Sequence, residues 1–246
     1  MVNLAYNYLL PTAEELPDSD ETPVDNQLQN DIPNFLLSLL YLIWTERQDW
    51  YFGVDMGVYH DPVTKIPIIP DGFLALGVER HKSEGGRLSY VLWEENYEMP
   101  KLVLEVVSHA YNGEYDSKMQ AYLDLGVLYY VVYNSLSGRR GAYKKRQSLE
   151  VYKLVSGAYQ RQSGNPVWLP EIGLGIGCER GNLGGWEREW LYWYDDRGNR
   201  YLTAEELADR ETQRADREYQ EKLQERQEKE RLATYLRSIG IDPDKI

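Results

Sequence analysis

The sequence predicts an α/β domain with a mixed central sheet flanked by helices, followed by one long, charged C-terminal helix. Three observations predict it. The first is a β-branched apolar run, Lys101-Leu102-Val103-Leu104-Glu105-Val106-Val107-Ser108, which reads as a strand buried on both faces. The second is a strand–helix–strand unit with short links. A helix starting at Asn112 or Gly113 runs to Leu125, stops at Gly126, and is followed by the apolar strand Val127–Tyr133. Such a crossover makes its two strands parallel. The third is a change of character at Thr203: 15 of the 23 residues from Asp209 to Arg231 are charged. The expected units are therefore residues 1–202 and residues 203–246.

Each element has its own signal. Residues 11–25 are acidic and polar with three prolines, an extended lead-in. From Asp25 to Arg47, Leu28, Ile32, Leu36, Leu39, Leu40 and Ile43 recur at helical spacing, with Pro33 expected to kink the helix or open a new first turn. Trp50–His60 alternates loosely as a strand, with Gly53 and Gly57 as bulge candidates. Ile66–Ile69 and Phe73–Leu76 form a second strand segment around Pro70-Asp71-Gly72, and 77–88 a loop. Antiparallel hairpins follow: Leu149–Val155 with Ala158–Gln162 through Ser156-Gly157, and Leu191–Tyr194 with Arg200–Leu202. Between them, Gly173, Gly175 and Gly177 alternate with Ile172, Leu174 and Ile176, without the spacing of a phosphate loop. A strand with one bare face fits better. Thr203 and Glu206 form a capping box for the last helix, which Gly240 and Pro243 end. Glu218–Lys222 and Glu225–Lys229 are favourable i, i+4 pairs along it. Ala215, Tyr219 and Leu223 make only a thin apolar stripe there, enough for weak coiled-coil pairing.

Composition narrows the function. The 246 residues carry a net charge of −13, which argues against strong nucleic-acid binding. The excess is uneven: residues 1–55 account for −9. Against it stands a basic cluster of Arg139, Arg140, Lys144, Lys145 and Arg146, read either as a solvated hairpin tip or as a phosphate-contacting patch. The single cysteine, Cys178, excludes an internal disulfide and any multi-cysteine zinc site. His60, His81 and His109 are scattered without metal-ligand spacing. The opening residues lack a basic start and a long apolar core, so no signal peptide is expected, and no apolar run of about 18 residues could span a membrane. A soluble, cytoplasmic protein is expected.

Glu105 is the residue that interrupts this pattern. A carboxylate in an apolar strand needs a metal ion, a cation, a proton, or an exit into a cleft. With Asp71 upstream and Lys118 on the next helix, it forms an order suited to metal-assisted phosphodiester cleavage. Two carboxylates, Asp71 and Glu105, can hold Mg²⁺ or Mn²⁺, hard cations that prefer oxygen ligands. Lys118 would then orient the attacking water or stabilise the anionic transition state, and the helix start near Asn112 would favour phosphate. Plainer readings exist: Asp71 as a turn residue, Glu114–Lys118 as an i, i+4 pair, and Glu105 in a buried structural ion pair.

Pro70-Asp71, Leu104-Glu105-Val106-Val107-Ser108, Lys118-x-x-x-Tyr122-x-x-x-Gly126-Val127 and Tyr129-Tyr130-Val131-Val132 together resemble the Uma family of restriction endonuclease-like proteins. That family belongs to the PD-(D/E)XK nuclease superfamily, and the resemblance covers most of residues 5–205. It implies a restriction endonuclease-like fold, with Asp71 as the motif aspartate and Glu105 as the second acidic residue. The lysine expected two residues after Glu105 is absent, since Val107 stands there. The resemblance places that lysine on the following helix, at Lys118, and a polar first-helix residue, Asp25 or Gln29, would complete the site. The function so implied is a Mg²⁺-dependent DNA endonuclease with catalytic Asp71, Glu105 and Lys118; a homodimer is expected separately, because an isolated helix as charged as the last one buries little by itself. The alternative is a catalytically silent binding or assembly module on the same fold, joined to a partner through the final helix.

Overall fold

The computed structural model describes residues 10–17, 27–82, 84–107, 113–135, 137 and 145–240. The chain divides into two compact units, Met1–Tyr201 and Leu202–Ile246.

Within the first unit, helix α1 (Gln27–Ile43) buries Ile32, Phe35, Leu36, Leu39 and Leu40, one stripe at 3–4-residue spacing. Pro33 lies inside this helix. The main sheet holds β1 (Trp50–Val54), β3 (Gly72–Leu76), β5 (Leu102–Val106), β6 (Tyr129–Tyr133), β7 (Leu149–Val155) and β8 (Ala158–Gln162), in that spatial order. Only β5 and β6 run parallel, linked by α2 (Ser117–Leu125). All the other neighbours in the sheet are antiparallel, so the sheet is mixed. Gly126 closes α2 in the left-handed conformation (φ 79°), which lets its N–H reach back to Leu123 and Tyr122.

The pleat sorts the two faces of this sheet. Leu102, Leu104 and Val106 of β5 share a core with α1 and with a second sheet of β9 (Val167–Leu169), β10 (Leu174–Leu183) and β11 (Trp186–Tyr194). The alternate residues Val103 and Val107 join Tyr122, Tyr130 and Tyr152 in a separate cluster beneath α2. Trp193 of β11 donates from Nε1 to the Leu36 carbonyl at 3.0 Å, which ties the second sheet to α1.

Several expectations are corrected here. The Trp50–His60 strand is broken: β1 ends at Val54, Asp55 turns with φ 47°, and β2 (Val58–Tyr59) pairs instead with β4 (Tyr90–Val91). Gly53 pairs regularly with Phe73, so it is no bulge. In Ile66–Ile69 only Ile68 makes a bridge, to Val58. Helix α2 starts at Ser117 with Asp116 as its cap, later than expected; Asn112 lies outside the described residues. The hairpin proposed at Leu191–Leu202 is reduced to one bridge, Tyr194 with Arg200, because β11 pairs along its whole length with β10. The glycine face of β10 is not bare either. A Cβ on Gly177 would stand 2.8 Å from the Tyr194 ring and 2.7 Å from Asn165 Oδ1, so these glycines make room for neighbouring groups.

The second unit is α3 (Ala204–Ser238), opened by the Thr203/Glu206 capping box and without a single buried residue. No helix among the described residues is long and apolar enough to cross a membrane.

Candidate active site

Strand register brings the first two residues together. Gly72 pairs with Leu104 across β3 and β5. One step further along the antiparallel ladder, Asp71 stands opposite Glu105, and opposite residues in such a ladder share a face. Asp71 is buried, 8% exposed, with both carboxylate oxygens engaged. Its Oδ2 accepts from the Val106 backbone N–H at 2.6 Å, and its Oδ1 from Gln29 Nε2 at 3.4 Å. Loss of solvent pushes its pKa from the ordinary 3.8 up to about 8, and the neighbouring Glu105 charge pushes the same way. The Val106 hydrogen bond and Lys118 only partly oppose this.

Glu105 is fully buried on the α2 face of β5. Its Oε2 accepts from Lys118 Nζ at 2.7 Å, and its Oε1 from the Tyr122 hydroxyl at 2.7 Å. Both donors come from α2, at positions i and i+4, so one helical face supplies both. Burial pushes the Glu105 carboxyl upward, while Lys118 and the two hydrogen bonds hold it down. For Lys118, burial works against the charge, but Glu105 and Asp71 outweigh it and the ammonium is favoured. Tyr122, raised well above its usual value mainly by burial, keeps its proton and donates it. Glu114, just before α2, is also buried, and its charge reaches Glu105.

The arrangement is thus two crowded carboxylates, one paired with a cation and the other favouring its protonated form. That crowding is the chemistry a hard divalent ion relieves, and Asp71 with Glu105 fits a two-carboxylate site in which water and substrate oxygens complete the shell. Among the described residues no group of three His, Cys, Asp or Glu side chains could hold an ion, so an all-protein cage does not fit.

The structure joins Lys118 to Glu105 directly and sets Asp71 beside Glu105, with Lys118 and Glu105 both acting on its charge. Of the two first-helix candidates, Gln29 reaches Asp71, whereas Asp25 lies outside the described residues, as do Ser108, His109, Arg139, Arg140 and Lys144. Lys118 Nζ pairs with Glu105, and the Glu114 charge also favours its ammonium form. Sequence reasoning missed the role of Tyr122. Its i+4 spacing from Lys118 was the available signal.

Residues 20–180 match the Uma2 family, described as putative restriction endonuclease. The match spans well over half of the chain, and the chain belongs to this family. No curated protein and no solved structure matches it.

Proposed function

We propose that this protein is a divalent-metal-dependent endonuclease that hydrolyses DNA phosphodiester bonds at Asp71, Glu105 and Lys118. The observation that carries the reading is Lys118 Nζ, 2.7 Å from Glu105 Oε2. It supports an α2 origin for the lysine that Val107 cannot provide. Mg²⁺ or Mn²⁺ held by Asp71 and Glu105 would supply Lewis-acid charge at the scissile phosphate and a bound water of lowered pKa. The chain's own groups do the rest. Gln29 and the Val106 N–H aim Asp71, and Tyr122 fixes the rotamer of Glu105. Lys118 keeps a proton and a positive charge where the phosphate becomes more anionic. The free, buried Cys178 supports action in the reducing cytoplasm, and the exposed α3 supports a homodimer.

The test is cleavage of supercoiled plasmid and labelled duplex with Mg²⁺, Mn²⁺ or chelator. Wild type should nick only with metal, and Glu105→Gln and Lys118→Met should each lose at least about a hundredfold, the scale of one lost transition-state donor. Cleavage that persists in Glu105→Gln would refute the assignment. The second reading, a silent binding or assembly module, draws on the net charge of −13 and is preferred if wild type cleaves nothing.

A further inference from the structure

A second polar cluster lies on the same sheet face as Glu105. The parallel register sets Glu105 beside Val132, and the antiparallel register sets Val132 beside Glu150. At a strand spacing of about 4.8 Å, Glu150 stands roughly 10 Å from Glu105 across the sheet. The floor between them is aromatic: Tyr130 packs on Tyr122 beside Glu105 and on Tyr152 beside Glu150.

Glu150 is buried, its side chain 1% exposed, yet it gathers more positive charge than it can neutralise. Its Oε2 lies 3.2 Å from Arg146 Nη1 and 4.0 Å from Arg161 Nε, and it also accepts from the Tyr152 hydroxyl. One carboxylate therefore bonds one guanidinium and lies within ion-pair range of a second. Both stay open to water, with side-chain exposures of 43% and 44%. Arg146 lies over the Tyr115 ring at 4.0 Å, and Arg161 donates to Gln147 Oε1, so each head group is held in place. Each guanidinium carries five N–H donors, more than these contacts use. One arginine would suffice to balance the charge of Glu150. A fixed, surplus pair of guanidiniums on an otherwise acidic chain is instead suited to phosphate, which arginine binds through two parallel hydrogen bonds.

We propose that Arg146 and Arg161, organised by Glu150, form a clamp for the phosphodiester backbone of DNA beside the Asp71/Glu105/Lys118 site. The proposal rests on the nuclease reading for its substrate. At roughly 10 Å apart, the two sites are close enough to be met by nearby phosphates of one strand. The clamp would hold the same strand a few nucleotides from the bond at Lys118.

The test uses full-length protein and a fluorescein-labelled DNA duplex in chelator, so that binding is read without cleavage. Anisotropy titrations across a salt series give the slope of log K against log salt, which changes by about 0.9 per phosphate contact. Arg146→Gln/Arg161→Gln should lower that slope by about 1.8, with at least a tenfold loss of affinity at low salt. Arg161→Gln alone should remove about half the slope change, and the double lysine variant should restore most of it. Arg180→Gln, a charge removed elsewhere on the surface, should change neither by as much. Equal slopes in wild type and double variant would overturn the clamp, as would wild type that fails to bind. Plasmid cleavage in Mg²⁺ separates the two ideas. Cleavage by the double variant at unchanged KM overturns the clamp and leaves the nuclease standing. Salt-dependent binding lost in the double variant, without cleavage by wild type, leaves the clamp standing and overturns the nuclease.

Discussion

At Glu105 and Lys118 one contact would serve both stability and the proposed chemistry, and substitutions on its two sides should not cost the same. Lys118→Met leaves a fully buried carboxyl with Tyr122 as its remaining hydrogen-bond donor. The expected loss is about 3 kcal/mol, the lower end for breaking a buried ion pair, because Glu105 can retreat to its protonated form. Glu105→Gln strands an ammonium whose side chain is 25% exposed and so retains water. It also removes the charge that repels Asp71. Its cost should stay near 1 kcal/mol, the scale of one imperfect hydrogen bond. Urea denaturation in chelator measures both, and a Glu105→Gln loss of 3–5 kcal/mol would instead mark a structural ion pair. Asp71 makes a pH-dependent contribution. Its folded pKa of about 8 lies above the ordinary 3.8, so the native state binds the extra proton between these values. That contribution is complete below the unfolded value and is lost as pH rises towards 8, at up to about 1.4 kcal/mol per pH unit. Melting temperatures in chelator should therefore fall between about pH 6 and pH 8, with Asp71→Asn flattening the decline. An unchanged slope in Asp71→Asn would disprove the raised pKa.

At the scale of elements, α3 is 35 residues long with no buried residue. Its described ion pairs, such as Arg214 with Glu211 and Glu218, lie on an exposed surface and contribute little. Helices gain most of their stability by packing an apolar face, and the exposed Leu232, Tyr235 and Ile239 offer one to a second copy. Light scattering at micromolar concentration should find a dimer for the full chain and a monomer once residues 205–246 are removed; a full-length monomer would end the idea. The elements also show what was readable in the sequence. The helix stripe of α1, the Gly126 stop and the β5–α2–β6 crossover were legible because each is local and periodic. Glu105 was legible because a carboxylate in an apolar strand contradicts its surroundings. Strand pairing was not. Tyr194 fills the glycine face of β10 only because Gly175 pairs with Tyr194, 19 residues away by the β10–β11 register. Glu150 likewise joins the Glu105 face only through two registers that no local pattern encodes.

On the proposed nuclease reading, the whole molecule must bring an anionic substrate to a site on a chain of net charge −13, and a bound cation would reverse the local balance. The ion should also act on folding, since it binds the native arrangement of Asp71 and Glu105 and not the separated residues of the unfolded chain. At ten times its Kd, Mg²⁺ would stabilise the native state by about 1.4 kcal/mol. For a chain of this size that corresponds to a rise in melting temperature of roughly 3–6 °C. The rise should be larger above pH 8 than at pH 6, because Asp71 must release its proton to bind the ion. Asp71→Asn and Glu105→Gln should each abolish it, whereas Arg146→Gln/Arg161→Gln should leave it intact, since those side chains meet phosphate and not metal. Differential scanning calorimetry with Mg²⁺ and with chelator reads all four proteins on one scale. A wild type whose melting temperature ignores Mg²⁺ and Mn²⁺ at pH 8 would defeat the metal-site reading. Such a protein would keep the nuclease fold as a binding module, with Glu105, Lys118 and Tyr122 as an internal brace between β5 and α2.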